Sequence, residues 1–395
     1  MTTVVAAAIG FVIFALVGLI GWQTGASTMV CTRPAFGVMG SVLPALITFI
    51  TLTGWDSVHV QLAGQLMGGI GESWGLGYTR LYSIAVGLAI VFLVIWGHAL
   101  LKWMERFLVP IVIVLVAMAL YTVLSGQNFA KLWNTSGEGG LTIMLAFDAM
   151  FIAILTWAPM VADYTRYGQT RGGAFNAALF GSLPVALFML FVGQSAAIGL
   201  GNPNALEAMV ARGSGFGIVA FFVAMFATIA TAALIMYSAS MSLLNVIPQV
   251  PLRVINLFTG TIVIVAAVTV NLLGNVIAWL SFQGVMLIPL FAVILVDYYV
   301  LHGRHYDASS LYDRSGAYWG YRGFNLAGYA AWIVGAIAYL LVSRTFASLG
   351  GSVISFLLAG VVYWVAASFA MHRSQPATGE SSDARSEDRV GQRTV

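Results

Sequence analysis

Charge is what this chain lacks most. Aspartate, glutamate, lysine and arginine supply 8% of its 395 residues, against about 25% in soluble domains. So few charges cannot cover a soluble protein of this size, which excludes soluble enzymes and nucleic-acid binders. The basic excess is only +3, and in so apolar a chain that is no nucleic-acid footprint. Cysteine is almost missing. Cys31 stands alone, so there is no disulfide framework. The sequence has no HExxH, no GxSxG, no Walker loop and no paired cysteines, and its five histidines fall without metal-ligand spacing. No enzyme and no bound cofactor are expected.

What is present is apolar sequence, 60% of the chain. A membrane helix needs about 20 largely apolar residues. Eleven such stretches run roughly over 4–22, 42–66, 80–100, 106–125, 141–162, 173–200, 215–245, 252–272, 276–300, 327–343 and 352–371. Runs of this length are not the alternating strands of a barrel. The expected fold is an all-α polytopic membrane protein, with a transmembrane domain over 1–373 and a disordered polar tail over 374–395.

Basic residues set the orientation, because positive loops stay cytoplasmic. Taking alternate loops as one side, nine basic residues from Arg33 to Arg322, with four more in the tail, face four on the other: Arg80, Lys131, Arg212 and Arg344. The C-terminus is therefore expected in the cytoplasm. An odd helix count then puts the uncharged start MTTVVAAAIG outside, with no basic region to make it a signal peptide. The simplest expectation is that one helix precedes this sequence in the natural protein.

An ionisable group inside a bilayer is a functional candidate by default. Four lie well within the spans: Asp56, His59, Asp148 and Asp297. Asp297, in VDYYV, falls near an interface and reads as a cap or a partner to a loop arginine. Asp56 and His59 are three residues apart and Trp55 and His59 four apart, so each pair shares a helix face. Ser57, Gln61 and Gln65 add a second polar row. A structural Asp–His pair would not need the adjoining aromatic and amides, which favours the lining of an aqueous cavity or of the bundle interior. Pro159, near the middle of the span LTIMLAFDAMFIAILTWAPMVADYTRYG, predicts a broken helix with Trp157 beside the break. Asp148 lies about two turns outward from it. Thr228 and Thr231, three apart at mid-depth, offer hard oxygen ligands suited to Na⁺, although such threonines also bond back to their own turn.

The stretch TWAPMVADYTRYG (Thr156–Gly168) resembles the signature of the nucleobase:cation symporter-1 family, the purine–cytosine permeases and their relatives. Further matches span the chain: TGASTMVCTRPAFGVMGS (Thr24–Ser41), the Gly54–Trp55 pair, YSASMSL (Tyr237–Leu243), and IPLFAVILVDYYV, RHYDASSLY and GFNLAG between Ile288 and Gly328. The resemblance implies a leucine-transporter-like five-plus-five inverted repeat with two extra helices. Eleven of those twelve helices are present, the first being absent from this sequence.

It also implies a substrate stacked on aromatics at the midplane, on Trp55 and Trp157 with His59 at the ring edge; the residues themselves add Asp56, as an edge contact or as the proton carrier, to complete the substrate-binding set. Thr228 and Thr231 fall where relatives place sodium ligands, and with Asp148 they make the cation-coupling set. The segment ATAALI (Ala230–Ile235) lacks the asparagines that family members often carry there, which counts against cytosine itself. The expected function is cation-coupled symport, with Na⁺ or H⁺, of a nucleobase-like heterocycle across the cell membrane. The small-molecule substrate and the bilayer are the expected partners, with no nucleic acid. The alternatives are uptake of hydroxymethylpyrimidine, thiamine, hydantoin or allantoin, or a remnant that does not transport.

Overall fold

The computed structural model describes residues 2–72, 75–96, 142–200, 215–314 and 316–374, with isolated positions between 106 and 134. Its elements are α1 (Thr2–Thr24), the short α2 (Arg33–Phe36), α3 (Val42–Glu72), α4 (Thr79–Trp96), α5 (Ile143–Leu155), α6 (Ala158–Thr165) and α7 (Arg171–Leu200). Then follow α8 (Gly215–Val246), α9 (Leu252–Thr269), α10 (Val276–Val296) with a π-turn over Asp297–Leu301, α11 (Leu326–Thr345) and α12 (Gly351–Ser374).

Among the described residues nine helices are long and apolar enough to cross a membrane, counting α5 with α6 as one. Eleven spans were expected. The expected span 42–66 is the 31-residue α3, whose polar residues keep it out of those nine. The expected span 106–125 and the tail beyond Ser374 fall largely or wholly outside the described residues.

Two successive runs of three helices pack on one another, α1 on α7, α3 on α8 and α4 on α9. Each pair is antiparallel. The end of α1 meets the start of α7, where Trp22 lies beside Gly168. The start of α3 meets the end of α8, where the Asn245 amide donates to Ser41 Oγ at 3.2 Å. In α4 and α9, Gly87 opposes Ile264 while Val91 opposes Gly260. The same order of elements in two halves, each helix against its counterpart and reversed in direction, is the packing that an inverted repeat requires.

The apolar packing falls into two helix groups, the second with two adjoining cores. One joins α1, α5, α6 and α7 to α10, α11 and α12. The other joins α3, α4, α8 and α9. Met160 of α6 reaches the second group, against Leu52, Phe49 and Ile235. Lipid tails are as apolar as leucine, so what holds such helices together is close packing, not exclusion from water. Gly54 is an instance. A methyl at its Cα would overlap the indole of Trp279 on α10, so glycine lets α3 and α10 approach.

Candidate functional site

The site begins at the interruption between α5 and α6. α5 ends at Leu155, and α6 starts at Ala158 with Pro159 in its first turn, where the missing N–H costs nothing. Between them Trp157 N donates to Ile154 O at 3.0 Å, a tight turn in place of the helical ladder. The Thr156 hydroxyl takes the carbonyl of Ala153 at 2.7 Å. The helix is interrupted as expected, but it is pinched and restarted, not unwound.

Two hydrogen bonds set the relative depths. Tyr164 Oη donates to Leu234 O at 3.0 Å, which levels α6 with α8. Counting back equally along the two parallel helices puts Trp157 opposite Ala227, next to Thr228. The Asn245–Ser41 bond levels α8 with α3, and equal counting along the antiparallel pair puts Trp55 opposite Thr231 and His59 opposite Ala227. Trp55, His59, Trp157, Thr228 and Thr231 therefore lie within about one helical turn of depth. Both threonines are half-buried.

A common depth is not a common cavity. Trp157, 40% exposed, lines a cavity of about 410 Å³ with Phe14 of α1 and with α7 residues such as Ala174 and Ala178. Trp55 turns toward α10, where its Nε1–H donates to Gln283 Oε1 at 2.9 Å. Among the described residues neither indole lies in ring contact with another aromatic side chain.

Around Trp55 the polar groups are arranged with some economy. His59 Nδ1 lies 2.8 Å from the Trp55 carbonyl. A carbonyl only accepts, so Nδ1 carries the proton, and the neutral ring's Nε2 is left as an acceptor. On the facing helix, the Gln283 amide nitrogen and the Trp279 indole N–H, one turn apart, are both buried donors with no partner. An unpaired buried donor costs about 1–3 kcal/mol. A ligand that offers carbonyl oxygens would recover that cost. The sequence reading missed Gln283 and Trp279. The signal available for Gln283 was a lone amide in an otherwise apolar span, SFQGVMLIP.

Asp56 does not meet His59. It is 0% exposed, and neither carboxylate oxygen has a partner. On α3 it sits one turn from Leu52 and one from Val60, which pack against α6 and α8 in the adjoining cores. A carboxylate enclosed in this way needs a proton or a cation.

Three further groups have partners that the sequence did not show. Asp148 faces away from this depth: its oxygens accept the backbone N–H of Gly351 at 2.6 Å and of Ser352 at 3.1 Å. It caps the start of α12 and ties it to α5, a structural role that the sequence did not show. Of the row Ser57, Gln61 and Gln65, the first two take the bundle-interior alternative. Ser57 bonds Val263 O, Gln61 bonds Ala267 O and Val270 O, and Gln65 is exposed. The first two stitch α3 to α9. Among the described residues Asp297 has no arginine partner. Its oxygens accept from Tyr306 Oη and Tyr363 Oη, each at 2.5 Å, and His302 Nδ1 lies 3.3 Å away.

Comparison with known proteins gives a consistent result. A family model described as permease for cytosine/purines, uracil, thiamine, allantoin matches residues 1–366. The cytosine permease of Escherichia coli strain K12 is 25% identical over 294 residues, 73% of this chain and 67% of that protein. The hydantoin permease of Microbacterium maritypicum is 24% identical over 376 residues, 87% of this chain and 75% of that one. Among solved structures, Mhp1, a nucleobase-cation-symport-1 family transporter in a closed conformation with bromovinylhydantoin bound, superposes with a TM-score of 0.80 at 18% identity, covering 94% of this chain and 86% of that one. That likeness shows the fold, which is leucine-transporter-like.

Proposed function

The chain belongs to the family of permeases for cytosine/purines, uracil, thiamine and allantoin, and on that premise we propose that it carries a nucleobase-like heterocycle in symport with a cation. It is a multi-pass membrane permease and not an enzyme. The C-terminus and the arginine-bearing loops face the cytoplasm in this reading, supported by the bias of basic residues to that side.

The observation that carries the substrate assignment is the setting of Trp55. Its indole N–H is fixed by Gln283, and in this reading its ring face is the stacking platform. Stacking on an aromatic is worth about 1–3 kcal/mol per base. The groups flanking it are one acceptor, His59 Nε2, and two donors, on Gln283 and Trp279. That set complements the O=C–N–H edge of uracil, oxopurines, hydantoin and allantoin. Trp157 forms a second wall once the two helix groups close. Asp56, enclosed and unpaired, carries the coupling proton. Thr228 and Thr231 serve a sodium ion if the cation is Na⁺.

Radiolabelled uptake into proteoliposomes tests this directly. Uracil, hydantoin, allantoin, cytosine and adenine are compared under an imposed proton gradient and under a sodium gradient. The expected result is gradient-driven uptake of a ring with the O=C–N–H edge, abolished in Trp55→Ala. Retained substrate binding with lost proton-driven accumulation in Asp56→Asn assigns the proton to Asp56. Sodium-driven uptake that is unchanged in Asp56→Asn and lost in Thr231→Val assigns the coupling to the threonines. No uptake of any of the five rings overturns the proposal.

A further inference from the structure

Away from the midplane, the loops after α1, α6 and α10 and the end of α8 enclose a cavity of about 480 Å³. This size falls in the range of about 300–1,000 Å³ common to small-molecule sites. Three arginines line it: Arg33 from α2, Arg166 from the end of α6 and Arg314 from the loop before α11. No aspartate or glutamate is among the described residues of its wall.

The Asp163 carboxylate, one turn back, acts on the Arg166 guanidinium electrostatically without touching it. Among the described residues the one acid–base contact within 4.0 Å is His302 with Asp297. Arg33 spends one nitrogen on the Leu311 carbonyl at 2.8 Å and one on Asn245 Oδ1 at 2.6 Å. Its Nε is buried without a partner. Burial pulls its guanidinium below the ordinary value. Arg166 gives Nε to the backbone carbonyl of Asp163 and Nη2 to Tyr167 Oη and Tyr237 Oη. The Asp163 carboxylate is turned instead to Thr28. Arg314 is exposed at the mouth. The hydrogen bonds of Arg33 and Arg166 thus go to neutral groups, and the wall itself carries no carboxylate among the described residues.

We propose that this cavity binds the phosphate group of a molecule on the cytoplasmic side. Guanidinium forks match tetrahedral oxyanions, and charge-assisted bonds of this kind are about twice as strong as neutral ones. The amides of Asn245 and Gln249, on the same wall, supply further donors. The wall draws on α6 and the loop before α11 from one helix group and on α8 from the other. A bound phosphate therefore ties the two groups together at this end. A soluble phosphate ester and a lipid headgroup present the same chemistry.

The test is a melting titration of the purified chain in neutral detergent with inorganic phosphate, against sodium chloride at matched ionic strength. A parallel arm compares nanodiscs of phosphatidylglycerol with nanodiscs of phosphatidylcholine. A saturable rise in melting temperature with phosphate, its midpoint weakened about tenfold in Arg314→Ala, assigns a soluble phosphate. A rise confined to phosphatidylglycerol, and lost in Arg314→Ala, assigns a lipid headgroup. Arg33→Lys keeps the charge and removes the fork, and the same weakening is expected there. Arg314 is exposed, so its variant reads binding even where Arg33→Lys misfolds. No response beyond sodium chloride in either arm, or a response unchanged in Arg314→Ala, overturns the proposal. No transport is measured, so this outcome is independent of the substrate assignment.

Discussion

The Gln283 side chain does two things at once. Its oxygen holds the Trp55 indole, and its nitrogen is left as a free buried donor. Gln283→Leu removes both while keeping a similar volume. One hydrogen bond is worth about 0.5–1.5 kcal/mol net, so substrate affinity is expected to fall about threefold to tenfold, with the melting temperature of the ligand-free protein little changed. Binding isotherms on the purified variant check this; an unchanged Kd would remove Gln283 from the site. Asp148 carries the opposite expectation. It caps α12 through Gly351 and Ser352, and losing a cap costs about 0.5–2 kcal/mol. Asp148→Ala should melt earlier, yet keep the same proton or sodium dependence of uptake. A changed coupling ion ratio would return Asp148 to the transport mechanism.

At the scale of elements, the crossing of α3 and α10 rests on Gly54 against Trp279. Gly54→Ala forces the indole aside, and overpacking of this sort costs about 1–3 kcal/mol. The double variant with Trp279→Leu should regain most of that stability, since neighbours in contact are not additive. A double-mutant melting cycle measures the coupling. The end of α10 is held differently. There His302, beyond the span, has its imidazole raised above 6.5, chiefly by the hydrogen bond to Asp297. A raised folded value means that the stabilisation is fully present below the unfolded value and is lost as pH rises through the folded one. His302→Gln should therefore melt earlier than the native chain at about pH 5.5 and at the same temperature by about pH 9. Equal differences at both ends would show that His302 acts by packing alone.

For the whole molecule, transport requires the two helix groups to move relative to one another around the midplane site. They have separate apolar cores, bridged at mid-depth by Met160. The sequence by itself determined the membrane class, most of the spans, the interrupted helix at Pro159 and the family. These depend on composition, hydrophobic run length and local backbone chemistry, all of which one segment carries within itself. It also picked out Trp55 and His59, because polar and aromatic groups in an apolar span stand out against their neighbours. What each group faces depended on helix rotation and on contacts hundreds of residues distant. Asp148 read as an intramembrane acid, but the start of α12, 203 residues on, makes it a cap. Gln61 read as lining a cavity or the bundle interior, and α9 with the chain beyond it decides for the interior, where it is a stitch. Gln283 was one amide among apolar neighbours until α3 brought Trp55 against it. Only the tertiary structure decided these roles, because a hydrogen-bonding group is defined by its partner, and the partners lie on other helices.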